Sequence, residues 1–147
     1  MTPDYWDKRI AINLKHQFFA VQAVAPMMKE AQTGSIINLG SISWKIGQGG
    51  MAAYTASKAG ISGLTRSFAR DLGPYNIRCN TLLPGWIMTE RQIKLWLTPE
   101  ADAQREQSQC LPRRLMPEDV AKVALFLGAD DSSACTNQDF IVDGGWT

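Results

Sequence analysis

Apolar positions recur along this chain with two different periods, and the changes of period mark its elements. Trp6, Ile10, Leu14 and Phe18, then Val21, Ala25 and Met28, fall three or four apart and predict one long amphipathic helix beginning almost at residue 1. Thr2-Pro3-Asp4 suits its start, with a hydroxyl cap, a proline at the first helical position and an acid in the first turn. Pro26 is expected to bend its last turns, and Gln32-Thr33-Gly34 to end it. The run Ser35-Ile36-Ile37-Asn38-Leu39-Gly40 is apolar with little alternation, as in a strand buried on both faces of a parallel sheet.

A second helix is predicted over 51–72, stopped by Gly73-Pro74, and a second strand over 77–83, ended by Pro84-Gly85. Met116-Pro117-Glu118-Asp119 opens a third helix, with Val120, Val123, Ala124 and Leu127 inward and Gly128 as its stop. The last strand covers 139–143 and is closed by Gly144-Gly145-Trp146. Residues 88–112 show broken helical periodicity and mixed polarity, and so long an excursion usually covers a ligand. The order predicts a single α/β domain over 1–147, three parallel strands with flanking helices and a lid at about 88–112.

Composition narrows the function more than the fold. Hydrophobic content of 45%, charged content of 20% and a net charge of +1 describe a globular chain with no electrostatic bias toward nucleic acid or anionic membrane. No apolar run approaches the roughly 18 residues needed to span a bilayer. Asp4, Asp7, Lys8 and Arg9 interrupt any secretory segment, so the cytoplasm is the expected compartment. Cys79, Cys110 and Cys135 are odd in number and widely spaced, which predicts free buried thiols rather than disulfides or zinc ligands, and no metal site is expected. His16 is the one histidine and falls on a helix surface, a poor start for a histidine-based triad.

The chemistry concentrates between Ser41 and Lys58. Ser41 follows the first strand, Tyr54 comes thirteen residues later at the start of the second helix, and Lys58 follows after four more. A spacing of four stacks Tyr54 and Lys58 one turn apart, and stepping about 100° per residue puts Ile61, Thr65, Phe68 and Leu72 on the same inward stripe. A desolvated ammonium beside a phenol favours the phenolate, which makes such a pair a proton acceptor for an alcohol. With three tyrosines and seven lysines among 147 residues, Tyr-x-x-x-Lys alone arises by chance about one time in seven, so the context carries the weight. Ser41, Pro84 and Gly85 fall at the carboxyl ends of parallel strands, the rim where α/β sheets bind ligands. Gly47, Gly49 and Gly50 do not complete Gly-x-Gly-x-x-Gly, because position 52 is alanine, and are read as a flexible substrate-side loop.

Ser41, Tyr54, Lys58 and the turn Pro84-Gly85-Trp86-Ile87-Met88-Thr89 together resemble the short-chain dehydrogenase/reductase family over essentially residues 2–147. The resemblance implies a partial Rossmann-like doubly wound sheet lacking the N-terminal dinucleotide-binding half, since the glycine-rich pyrophosphate turn and the residue choosing NAD or NADP have no counterpart here. It implies Tyr54 as proton acceptor, Ser41 as its hydrogen-bonding partner, Lys58 as the cation that also reaches the nicotinamide ribose, and Asn13, within Asn-Leu-Lys, as holder of a relay water. The cofactor would be NAD or NADP, met by Tyr54, Lys58, Pro84, Gly85, Ile87 and Thr89. The phrases Pro84–Arg91 and Phe140–Trp146 look like the subgroup that oxidises aldoses at C1 to lactones, so the substrate would be a small alcohol or sugar. Helices 3–30 and 51–72 would pair in a homo-oligomer, and the first strand would present an open apolar edge. Two other readings stand beside this one. The chain could be a redox-inactive interaction module, or a cofactor-free hydrolase using Ser41 with Lys58 or Tyr54, although no Gly-x-Ser-x-Gly elbow is present.

Overall fold

The computed structural model describes residues 1–147. Helix α1 (Pro3–Ile10) runs through a π-helical segment (Ala11–Lys15) into α2 (His16–Ala31), so the first stripe forms one rod with a wide turn inside it. Thr2 caps it as the sequence predicts, its hydroxyl accepting from the Tyr5 N–H at 3.3 Å. Gln32, at φ 53°, turns the chain out of α2. Strand β1 (Gly34–Leu39), α3 (Ala52–Leu72) and β2 (Ile77–Pro84) follow, then α4 (Glu90–Trp96), α5 (Pro99–Ser108), α6 (Pro117–Gly128) and β3 (Asp139–Val142). Strand limits shift by one residue from the expected 35–40, 77–83 and 139–143.

The three strands are parallel in the order β1-β2-β3, with Ile36 opposite Cys79, Leu39 opposite Leu82 and Pro84 opposite Val142. β2 is therefore the central strand, and Cys79 to Leu83 are all buried. β1 lies at an edge, which leaves Leu39 51% exposed although its sequence reads as a two-sided interior strand. On one face Val21, Ile36, Ala69, Leu72, Ile77 and Cys79 form the core under α2 and α3. There the buried Asn38 amide donates to the Thr65 hydroxyl at 2.9 Å. The other face lies under α6, where Ser35 Oγ and Arg78 Nη1 both donate to the Leu127 carbonyl.

Several expectations change in detail. The excursion 88–112 contains α4 and α5, two helices that its broken periodicity concealed, because each is too short to repeat an apolar stripe. The helix stops fall where the sequence puts them, Gly73 as the cap of α3 and Gly128 as the last residue of α6, but Gly73 keeps a right-handed helical conformation and begins a short 3₁₀ turn ended by Asn76 at φ 58°. All three cysteines are free, but only Cys79 is buried; Cys110 is exposed, since it follows α5 on the surface, and Cys135 is half-buried. No helix is long and apolar enough to cross a membrane.

Candidate active site

The end of β1 delivers Ser41 through a glycine that packing requires. Gly40 donates its N–H to the Leu82 carbonyl at 2.9 Å, and a Cβ there would sit 2.2 Å from Leu83 Cδ2. Ser41 is extended and half-buried, and its hydroxyl accepts from the Ser43 N–H at 3.2 Å, opening a short 3₁₀ turn, Ile42–Trp44. Around this strand end three buried polar atoms have no partner within the chain: Gln17 Oε1, Ser43 Oγ and Trp44 Nε1.

Tyr54 and Lys58 occupy the first turns of α3, both half-buried. The buried residues of α3 are Ala53, Ser57, Ile61, Ser62, Thr65, Ala69 and Leu72, and stepping about 100° per residue puts Tyr54 and Lys58 within the arc they span, as the sequence predicts. The pair's place at the start of the helix leaves both half-buried, so the cation is partly desolvated without being sealed in. Lys58 Nζ donates to the Leu39 carbonyl at 2.9 Å and stands 5.7 Å from the centre of the Tyr54 ring. Burial pushes the Lys58 ammonium below its ordinary range. The Leu39 carbonyl also accepts from Gln17 Nε2 at 3.2 Å, so one strand-end oxygen gathers α2 and α3. Gly60 allows this approach: a Cβ there would lie 3.1 Å from Leu14 Cδ2 of the π segment.

Asn13 lies within that π segment, a departure from α geometry that often accompanies functional positions. Its amide donates to the Arg9 carbonyl at 2.9 Å, along its own helix and not toward Lys58. The opposite wall is the turn after β2. Since Leu39 pairs with Leu82, two further steps bring Ser41 level with Pro84 at the same rim. Gly85 donates to the Val142 carbonyl at 2.8 Å, and a Cβ on it would lie 2.7 Å from Asp143 Cα, so only glycine fits. Ile87 is bridged to Leu115, and Met88 donates to the Leu115 carbonyl at 2.8 Å. Thr89 caps α4, accepting from the Gln92 N–H at 3.3 Å, while Trp86 Nε1 donates to Gln92 Oε1 at 2.9 Å.

Lys58 is thus fixed two residues before Ser41, Tyr54 stands beside Lys58, and Pro84 and Gly85 close the rim, while Asn13 remains bonded within its helix. Sequence reasoning missed Gln17 and the Leu39 carbonyl. Gln17 lies four residues after Asn13 on the same face and was visible in principle; a main-chain acceptor has no residue signature.

The rim combines a desolvated cation, orphaned polar atoms and a glycine turn flush with the strand end, a donor set compatible with a nicotinamide. Nothing comparable serves a pyrophosphate, for Gly47, Gly49 and Gly50 are exposed and a Cβ on any of them would meet nothing within 4 Å. No group of three His, Cys, Asp or Glu side chains is disposed to hold a metal ion. A groove of about 450 Å³ lined by Arg113, Asp119, Ile141 and Gly145 has no wall from β1 or α3, but shares with the rim Leu115, Val142 and Asp143, which back the Pro84–Thr89 turn.

The family profile described as enoyl-(acyl carrier protein) reductase matches residues 1–147. D-xylose 1-dehydrogenase of Caulobacter vibrioides (strain NA1000 / CB15N) is 49% identical over 146 residues, covering 99% of this chain and 58% of that protein. The probable galactose dehydrogenase GalD of Rhizobium meliloti (strain 1021) is 48% identical over 145 residues, covering 99% of this chain and 57% of its own length. A solved structure of 4-hydroxyisoleucine dehydrogenase complexed with NADH superposes with a TM-score of 0.94 at 32% identity, over 99% of this chain and 60% of that one. The chain spans somewhat over half the length of these relatives. With the profile matched from end to end, the chain belongs to the short-chain dehydrogenase/reductase family.

Proposed function

We propose that this chain carries the hydroxyl-side chemistry of an NAD(P)-dependent oxidoreductase that converts an aldose to its lactone at C1. The observation that carries the reading is Lys58: half-buried, held at 2.9 Å by the last carbonyl of β1, and one helical turn from Tyr54. In that position its charge stabilises a Tyr54 phenolate, which accepts the proton of the sugar hydroxyl as the carbon–hydrogen bond breaks. Ser41 donates to the same oxygen and orients it. Asn13 positions a water between Lys58 and solvent, and the Pro84–Thr89 turn lies along the nicotinamide edge through Ile87 and Thr89. The nicotinamide supplies the hydride acceptor when bound. The names of the relatives, xylose and galactose dehydrogenases, support a sugar substrate.

The test is turnover followed at the reduced-nicotinamide absorbance with xylose and galactose, using NAD and NADP separately. Tyr54→Phe is expected to lower the rate at least about a hundredfold while cofactor binding through Lys58 and the Pro84–Thr89 turn stays measurable by calorimetry. Retained turnover in Tyr54→Phe would overturn the reading, and cofactor-independent ester cleavage lost in Ser41→Ala would replace it with the hydrolase.

A second reading rests on the open edge of β1 and on the exposed apolar side chains of the first rod. Tyr5, Trp6, Ile12, Phe18 and Phe19 are exposed, and a groove of about 420 Å³ lined by Ile10, Leu14, Phe18 and Leu64 runs between that rod and α3. These surfaces support assembly of the chain into a homo-oligomer through the helices at 3–30 and 51–72. Should cofactor titration at millimolar concentration give no heat with a folded protein, assembly without redox activity becomes the function of the isolated chain.

A further inference from the structure

One buried charge in the excursion takes no part in the proposed chemistry and is nevertheless bonded toward it. Arg105 on α5 is 3% exposed. Its Nε donates to Asp102 Oδ1 at 2.7 Å, and its Nη1 donates to Gln109 Oε1 at 2.6 Å and to the Arg113 carbonyl at 3.3 Å. Gln109, also buried, uses the other end of its amide: Nε2 donates to the Asp143 carbonyl at 3.0 Å. A guanidinium presents donors only, so it fixes which way the Gln109 amide points. Reversing that amide would set N–H against N–H at Arg105 and oxygen against oxygen at Asp143, losing both bonds in a buried place. Asp143 is itself anchored, its carboxylate accepting from the Gly145 and Thr147 N–H groups and the Thr147 hydroxyl. Its backbone is the surface against which Gly85 lies.

We infer that Arg105 and Gln109 are positioning residues for the Pro84–Thr89 turn: Arg105 aims the Gln109 amide at the Asp143 carbonyl, pinning the strand end that seats Gly85, so that excursion and turn hold one geometry. The importance of that turn rests on the proposed function, but its rigidity is measured without cofactor or substrate. Amide hydrogen exchange over peptides covering residues 84–89, with α3 as internal reference, provides the test. Gln109→Glu still accepts from Arg105 but offers no donor to Asp143. It is expected to speed exchange at Gly85 and Met88 at least about tenfold and leave α3 within about twofold. Arg105→Lys, which keeps a donor for Gln109, is expected to retain the protection that Arg105→Met loses.

Unchanged exchange at 85–88 in Gln109→Glu, or equal behaviour of Arg105→Lys and Arg105→Met, would overturn the inference. If Gln109→Glu also loosens α3, the Arg105 pair decides by the same criterion. Failure of the proposed function shows differently, as missing turnover in the unaltered chain with the exchange pattern intact.

Discussion

Lys58 illustrates how a single side chain is shaped by opposing demands. Its burial disfavours the ammonium, and the Leu39 carbonyl partly offsets that cost. Because its folded pKa lies below the ordinary 10.5, the native state binds fewer protons than the unfolded chain in the interval between them, and this group's contribution to stability rises as pH climbs through that interval. Denaturant titrations carried upward in pH toward 10.5 are expected to show the unaltered chain gaining stability relative to Lys58→Met. A flat difference would contradict the desolvation. Two glycines are equally constrained. Gly85→Ala would press a methyl group onto Asp143 backbone, which cannot rotate away, and should cost about 1–3 kcal/mol in denaturant unfolding. Gly40→Ala meets the buried Leu83 side chain and should cost a similar amount. The cysteines separate by position: burial pushes the Cys79 thiol up to about 11, whereas Cys110 is exposed. At pH 8 a thiol reagent should label Cys110 in the folded protein and reach Cys79 only after unfolding.

At the level of elements, α3 is joined to β1 twice, by Lys58 to Leu39 and by the buried Asn38 amide to Thr65. Thr65→Val keeps the shape and strands the Asn38 donor, so a loss of about 1–3 kcal/mol is expected. The excursion is held differently, by charge. Arg105 and Arg114 share the Asp102 carboxylate, and Arg113 pairs with Asp119, which also accepts from the Met116 N–H at the start of α6. Hydrogen bonds from Arg114 hold Asp102 at about 2, and those from Arg113 do the same for Asp119, both against an ordinary 3.8. Depressed carboxyls stabilise the native state above 3.8 and cease to do so as pH falls toward 2. Acid unfolding should therefore set in within that window, and Asp102→Asn combined with Asp119→Asn should weaken its pH dependence when followed by circular dichroism.

For the whole molecule, the sheet leaves one edge of β1 unpaired, and the first rod presents aromatic side chains outward. Edges and apolar faces of this kind favour association. Sedimentation at micromolar concentration is expected to show a species larger than 16.3 kDa, and Phe18→Glu combined with Phe19→Glu should shift it toward the single chain. A monomer at all concentrations would remove the oligomer from the proposed function.

Local order was legible in the residues alone: the Thr2 cap, the three parallel strands, the spacing from Ser41 through Tyr54 to Lys58 and the Pro84-Gly85 turn each have a residue signature that short-range sterics and periodicity enforce. Only the tertiary structure decided that Tyr54 and Lys58 stay half-buried at the start of α3 and that Lys58 bonds to a main-chain oxygen. It alone joined Arg105 through Gln109 to Asp143, residues 34 positions apart in the last link. Periodicity describes which way a side chain faces along its own element. Which neighbour meets it there depends on sheet order and chain crossing, and a backbone carbonyl looks the same in every residue.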